Sequence, residues 1–126
     1  MSASQSPDAL TRPWPVELVF KRAKRALRIA YDDGARFDIP FELLRVESPS
    51  AEVQGHSPNQ KKLVAGKRKV QIIEAEPVGR YAVRLQFDDG HGSGLYSWDY
   101  LRTLGEEQDT LMSDYQARLK AAGLKR

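Results

Sequence analysis

The sequence predicts an α+β fold: two layers, with a small, mostly antiparallel sheet built from two strand–Asp-Asp-Gly–strand–helix units and followed by a C-terminal helix. Three observations carry this. Apolar and polar residues alternate along 16–20, 27–31 and 81–87, the period of a half-buried strand. Asp-Asp-Gly occurs twice, at 32–34 and 88–90, and supplies residues that tolerate positive φ in a tight hairpin. Leu111, Tyr115 and Leu119 then recur at helical spacing.

The elements follow in order. Residues 1–12 are small, polar and proline-containing, and their few apolar side chains cannot offset the entropy of ordering, so a mobile tail is expected. From Pro13 the fold begins. Val16, Leu18 and Phe20 form a first strand, the basic stretch 21–25 a turn, and Leu27, Ile29 and Tyr31 a second strand. After the turn at Asp32-Asp33-Gly34, the residues Ala35, Phe37 and Ile39 resume the alternation until Pro40, which has no backbone donor for a ladder. Phe41, Leu44 and Arg45 have the spacing of a short helical turn over 41–46. The stretch 47–68, with Pro49, Gly55, Pro58 and Gly66 among polar residues, reads as a long loop of the kind that carries function or stays partly disordered. Val70, Ile72 and Ile73 open another extended region, and 81–87 is the cleanest strand of the chain. Asp88-Asp89-Gly90 turns it back toward Leu95 and Tyr96, and Ser97 is placed to cap a helix that starts at Trp98. A longer helix is expected after Gly105, over about 106–122, ending at Gly123. The division is thus a tail (1–12), a main domain (13–105) and a C-terminal helix (106–126).

An internal repeat links these elements. Leu27-Arg28-Ile29-Ala30-Tyr31-Asp32-Asp33-Gly34 matches Val83-Arg84-Leu85-Gln86-Phe87-Asp88-Asp89-Gly90, and Phe41-Glu42-Leu43-Leu44-Arg45 matches Trp98-Asp99-Tyr100-Leu101-Arg102. The second copy carries one extra residue between the two matches. Two copies are too few for a solenoid but can share one sheet.

Composition removes several chemistries. The 126 residues include no cysteine, which excludes disulfides, thiolate nucleophiles, iron–sulfur ligation and Cys-type zinc sites. The net charge of +3 permits an acidic partner without requiring one. The opening residues lack the apolar core of a signal peptide, and no run approaches the roughly 18 apolar residues of a membrane span, so a soluble, cytoplasmic protein is expected.

No complete catalytic set is visible. His91, Ser93 and Asp88 are close in sequence, but a nucleophile elbow needs glycine two residues before the serine, where His91 stands. The segment 90–94 therefore reads as a glycine-rich turn, and without a Walker-type lysine and serine it does not cradle phosphate. Asp32, Asp33, Asp88 and Asp89 sit at turns, where an ionised aspartate is ordinary. The two histidines, His56 and His91, have no ligand spacing, although they could converge with Glu52, Asp88 or Asp89 into a metal site. Lys21, Arg22, Lys24 and Arg25, and again Lys61, Lys62, Lys67, Arg68 and Lys69, are clusters that could converge on phosphates, but no aromatic ladder accompanies them and solvated turns are the expected reading. Leu111 and Met112 widen the stripe of the C-terminal helix enough to serve a partner, while packing on its own sheet is the ordinary role. Trp14 and Trp98 are expected in the core or at its rim.

The run 44–56, followed by Gly66-Lys67-Arg68, Val70-Gln71-Ile72 and 89–101, resembles the gamma-butyrobetaine hydroxylase-like N-terminal domain family over roughly residues 14–105. In carnitine-pathway hydroxylases this domain precedes a 2-oxoglutarate- and iron-dependent oxygenase domain with His-x-Asp and a distal His. No His-x-Asp or His-x-Glu occurs here, so the resemblance carries no oxygenase activity. In animal relatives the domain holds zinc through three cysteines and a histidine. Here Ser48, Ser50 and Val53 stand at the cysteine positions and His91 at the histidine position, which implies that this zinc is lost. The domain is also similar to an appendage of P-loop iron–sulfur carriers and to stand-alone bacterial proteins. A module found beside unrelated catalytic domains implies recognition, with Ser48, Ser50, Glu52, His56, His91 and Trp98 as the partner-binding candidates and a protein of iron or oxygenase metabolism as the partner.

Overall fold

The computed structural model describes residues 13–126; the expected tail over 1–12 lies outside them. The architecture is α+β. Strands β1 (Pro15–Lys21), β2 (Ala26–Tyr31) and β3 (Arg36–Pro40) lead into helix α1 (Phe41–Val46), and α2 (Ala51–Gln54) follows. Strands β4 (Ile72–Val78), β5 (Ala82–Phe87) and β6 (Leu95–Ser97) then lead into α3 (Trp98–Glu106) and α4 (Gln108–Ala121).

The strands do not share one sheet. They form two antiparallel three-stranded sheets, ordered β1-β2-β3 and β4-β5-β6. Each alternates as its sequence dictates. Leu27, Ile29 and Ile39 in the first sheet, and Val83, Leu85 and Tyr96 in the second, turn inward, each 2% exposed or less. They meet Phe41, Leu43, Leu44, Leu101, Leu104, Tyr115 and Leu119 from the helices in a single core. Neither sheet could bury enough surface alone.

The duplication reaches further upstream than the sequence match. β1 and β4 are counterparts, and both ladders shift register at the same place, between Pro15 and Glu17 and between Ile72 and Glu74. The bulged residues Val16 and Ile73 point out to solvent in both copies. The turns match bond for bond. Gly34 and Gly90 take φ of 92° and 93°, and their N–H groups donate to the carbonyls of Tyr31 and Phe87. Asp32 accepts from Trp14 N–H through Oδ1, as Asp88 does from Gln71 N–H. Asp33 accepts from Ala35 N–H, as Asp89 does from His91 N–H. Phe41 N–H donates to Arg25 O and its counterpart Trp98 N–H to Tyr81 O.

The two copies grip each other reciprocally. Arg45 on α1 reaches Asp89 of the second turn at 2.7 Å, and its counterpart Arg102 on α3 reaches Asp33 of the first turn at 2.9 Å. This is the self-complementary logic of a twofold interface, realised within one chain.

Some expected boundaries shift. The helix after Ser97 does not stop at Gly105 but runs through it to Glu106, and the break falls at Glu107. Position 105 inside the helix is glycine because α3 lies so close to β3 that a Cβ there would be 2.5 Å from Phe37 Cγ. The loop after α1 holds one turn of helix, α2, and a 3-10 turn over Pro58–Gln60. Ser97 caps α3 as expected, accepting from Tyr100 N–H at 3.0 Å. α4 ends at Gly123, where Leu124 N–H returns to Leu119 O and Gly123 N–H to Lys120 O, a Schellman closure. Its stripe serves the fold's own core: Tyr115 and Leu119 are buried, and Leu111 and Met112 pack beside them.

Candidate functional site

The two copies differ most where the second turn opens. At the position of Ala35 in the first copy stands His91, and the extra residue of the second copy lies in the glycine-rich stretch that follows. Phe87 N–H bonds to His91 O and Asp89 takes the His91 N–H, so the turn fixes the backbone and sends the imidazole inward. The side chain is 2% exposed.

There it meets the loop that follows α1. His91 Nε2 lies 2.8 Å from Ser48 Oγ and 3.3 Å from Ser50 Oγ. Its Nδ1 faces Glu52 Oε2 at 3.4 Å, and Ser93 Oγ donates to the other Glu52 oxygen at 3.1 Å. Ser48 is fully buried, whereas the Glu52 side chain is 68% exposed. The cluster thus has a closed floor and an open rim. Gln54 holds the Ser48 carbonyl at 2.8 Å, and Gly94 lets the hairpin press onto the floor, since a Cβ there would stand 2.5 Å from Ser48 Oγ.

Burial holds the His91 pKa below its ordinary value, helped by the Arg45 charge, while Glu52 and Asp89 pull the other way. Asp89 is pushed down to about 2: its burial, which alone would raise it, is outweighed by bonds from Lys67, the His91 N–H and Arg45. An anionic Asp89 and a neutral imidazole at neutral pH follow.

Glu52, His91 and Ser48 make a carboxylate–imidazole–hydroxyl row in the order of a hydrolase triad. The serine at its end lies beneath the Gly94 backbone and reaches no solvent, so it cannot meet a substrate carbonyl. Ser93, the serine nearer in sequence, bonds Glu52 rather than the imidazole.

Of the residues singled out from the sequence, Ser48, Ser50, Glu52 and His91 come together. His56 does not join them: it is exposed, and its N–H bonds to Gln60. Trp98 also stands apart, at the start of α3, with Nε1 donating to Arg80 O at 2.8 Å. Among the described residues no group of three His, Cys, Asp or Glu side chains is placed to hold a metal. Asp89, Gln54 and Ser93 complete the cluster and are not legible as a set: Gln54 bonds Ser48 within the loop, but Lys67–Asp89 and Glu52–Ser93 join distant segments with no local signal.

The chain matches the family model described as "Gamma-butyrobetaine hydroxylase-like, N-terminal" over residues 18–102. It belongs to this family. Two proteins of known solution structure are similar to it: one is 47% identical with TM-score 0.80, covering 97% of this chain and 90% of the other, and the second is 45% identical with TM-score 0.77, covering 90% of each. A crystal structure of a DUF971-family protein of unknown function from Acidithiobacillus ferrooxidans is 38% identical, with TM-score 0.61, over 72% of this chain and 91% of that one. No curated protein matches. The positions at which animal members of the family were expected to hold zinc fall together here for Ser48, Ser50 and His91, with Val53 buried beside them. One imidazole, two hydroxyls and an apolar side chain do not fit a tetrahedral zinc, which takes thiolate, imidazole or carboxylate donors.

Proposed function

We propose that this chain is a non-catalytic binding module that recognises a protein partner at the surface where loop 47–69 meets the His91 hairpin. The observation that carries the reading is the cluster's division into a closed floor and an open rim. Ser48 and His91 are locked beneath, while Glu52 and Ser93 stand exposed above them on two different chain segments. Such an arrangement holds a surface shape rigidly and offers no reactive atom to a small substrate. The family's description ties the fold to a hydroxylase N-terminal region, so a partner in iron or oxygenase metabolism is the natural class.

Capture from lysate at physiological salt, with and without iron, tests this. A protein retained by the native chain and released by Glu52→Lys supports the reading; retention of the same set by both overturns it. Metal binding through His56 and His91 has no such support, since His56 stands apart from the His91 cluster; elemental analysis of untagged protein checks it, because a useful site retains well over a tenth of a metal per chain. Weak nucleic-acid binding through the Lys and Arg loops would appear as retention that falls steeply with salt.

A further inference from the structure

The basic clusters of the sequence separate into two roles. Lys61 pairs with Glu47 at 2.6 Å and Lys67 with Asp89 at 2.7 Å, so these hold the fold. Arg22 donates to the Ile72 carbonyl, and Gln71 returns a bond to Arg22 O. Those two bonds tie the β1–β2 turn to the start of β4, which brings four of the six remaining cations of both clusters to one place. Lys24, Arg25, Arg68 and Lys69 line a cleft of about 420 Å³, with Arg126 and Glu42 at its wall.

The charge in this cleft is not balanced. Glu42 is 4% exposed and is held by both Nε and Nη2 of Arg126, so that pair is internally neutral. Arg25, Arg68 and Lys69 have no charged partner among the described residues, and Lys24 only feels the field of Asp38, which is already paired with Arg28. Arg25 stands in the left-handed region, at φ 51° and ψ 50°, where glycine would be at ease. The fold thus holds an arginine at a strained position on the rim of a cationic cavity.

We propose that this cleft binds a small anion carrying two or more phosphate groups, with the pyrophosphate chain as the simplest case. Arg25, Arg68 and Lys69, without a charged partner among the described residues, suit together with Lys24 three or four negative charges, and the guanidinium forks of Arg25 and Arg68 suit phosphate oxygens. The volume is that of a small-ligand site. No aromatic side chain lines it, so it offers phosphate contacts without a surface on which a base could stack. The site is separate from the Glu52–Ser93 rim, and failure of either proposal leaves the other standing.

Calorimetric titration with inorganic pyrophosphate at physiological salt tests it, with sulfate and single-stranded oligonucleotides of increasing length as comparisons. Saturable one-to-one binding of pyrophosphate is expected, weakened at least tenfold in the double variant Arg25→Gly, Arg68→Ala and unchanged in Arg84→Ala, whose arginine pairs with Glu76. Glycine relieves the backbone strain at position 25, so an unchanged or higher melting temperature separates lost affinity from lost fold. Absence of pyrophosphate binding, equal binding by the double variant, or an oligonucleotide affinity that grows with length and exceeds that for pyrophosphate would each overturn the proposal.

Discussion

His91 shows how one side chain can set a pH dependence. Its folded-state pKa lies below the unfolded value of about 6.5, so above that pH neither state is protonated and the buried imidazole keeps its serine bonds. As the pH falls through 6.5 the unfolded chain takes up the proton first, and stability declines until the folded-state pKa is passed. Denaturant midpoints measured from pH 7.5 down to 5 should fall in the native chain and fall less in His91→Ala. Ser48→Ala leaves the imidazole nitrogen with only the longer Ser50 contact and should cost about 1–3 kcal/mol at pH 7.5. A fluorophosphonate reagent should leave Ser48 unlabelled in the folded protein; stoichiometric labelling would contradict a sealed floor. Asp89 acts lower on the scale. Its depressed pKa gives stability that is complete above about pH 4 and lost as the pH falls toward 2. Asp89→Asn should therefore flatten the acid limb of the stability curve.

Helix α3 places two local rules in opposition. Ser97→Ala removes a cap bond and should cost about 1 kcal/mol in urea unfolding. Gly105→Ala would ordinarily stabilise a helix interior by about 1 kcal/mol, but here the new methyl meets Phe37 Cγ, and a loss of about 1–3 kcal/mol is expected instead. The same position explains which elements the sequence revealed. Strands, turns, the Ser97 cap and the Gly123 stop depend on neighbours a few residues away, and they were legible. Gly105 resembles a helix end because the contact that demands glycine inside the helix comes from β3. The matching bulges at Val16 and Ile73, and the turn of helix at Ala51–Gln54, likewise left no periodic trace. At the site, Ser48, Ser50 and His91 are legible through the family resemblance and Glu52 as a candidate ligand beside the histidines, whereas nothing in the spacing of His56 or Trp98 reveals that they stand apart.

Across the whole molecule the reciprocal arginines matter most. Arg45 and Arg102 each fasten the turn of the opposite copy, and one core runs through both sheets. Unfolding should therefore be a single transition: Trp14→Phe and Trp98→Phe variants, each leaving one indole in a different copy, should report midpoints that differ only by the cost of the substitution and that agree with far-ultraviolet dichroism. Two separated transitions would mean that the copies are independent. Because each half carries the clasp for its twin's turn and lacks its own, a polypeptide severed within 55–62 would yield fragments with little reason to fold alone and a built-in reason to reunite. Mixing the pieces would then restore the parent shape, and the chain could be used as a split reporter whose signal appears only when both parts are brought together.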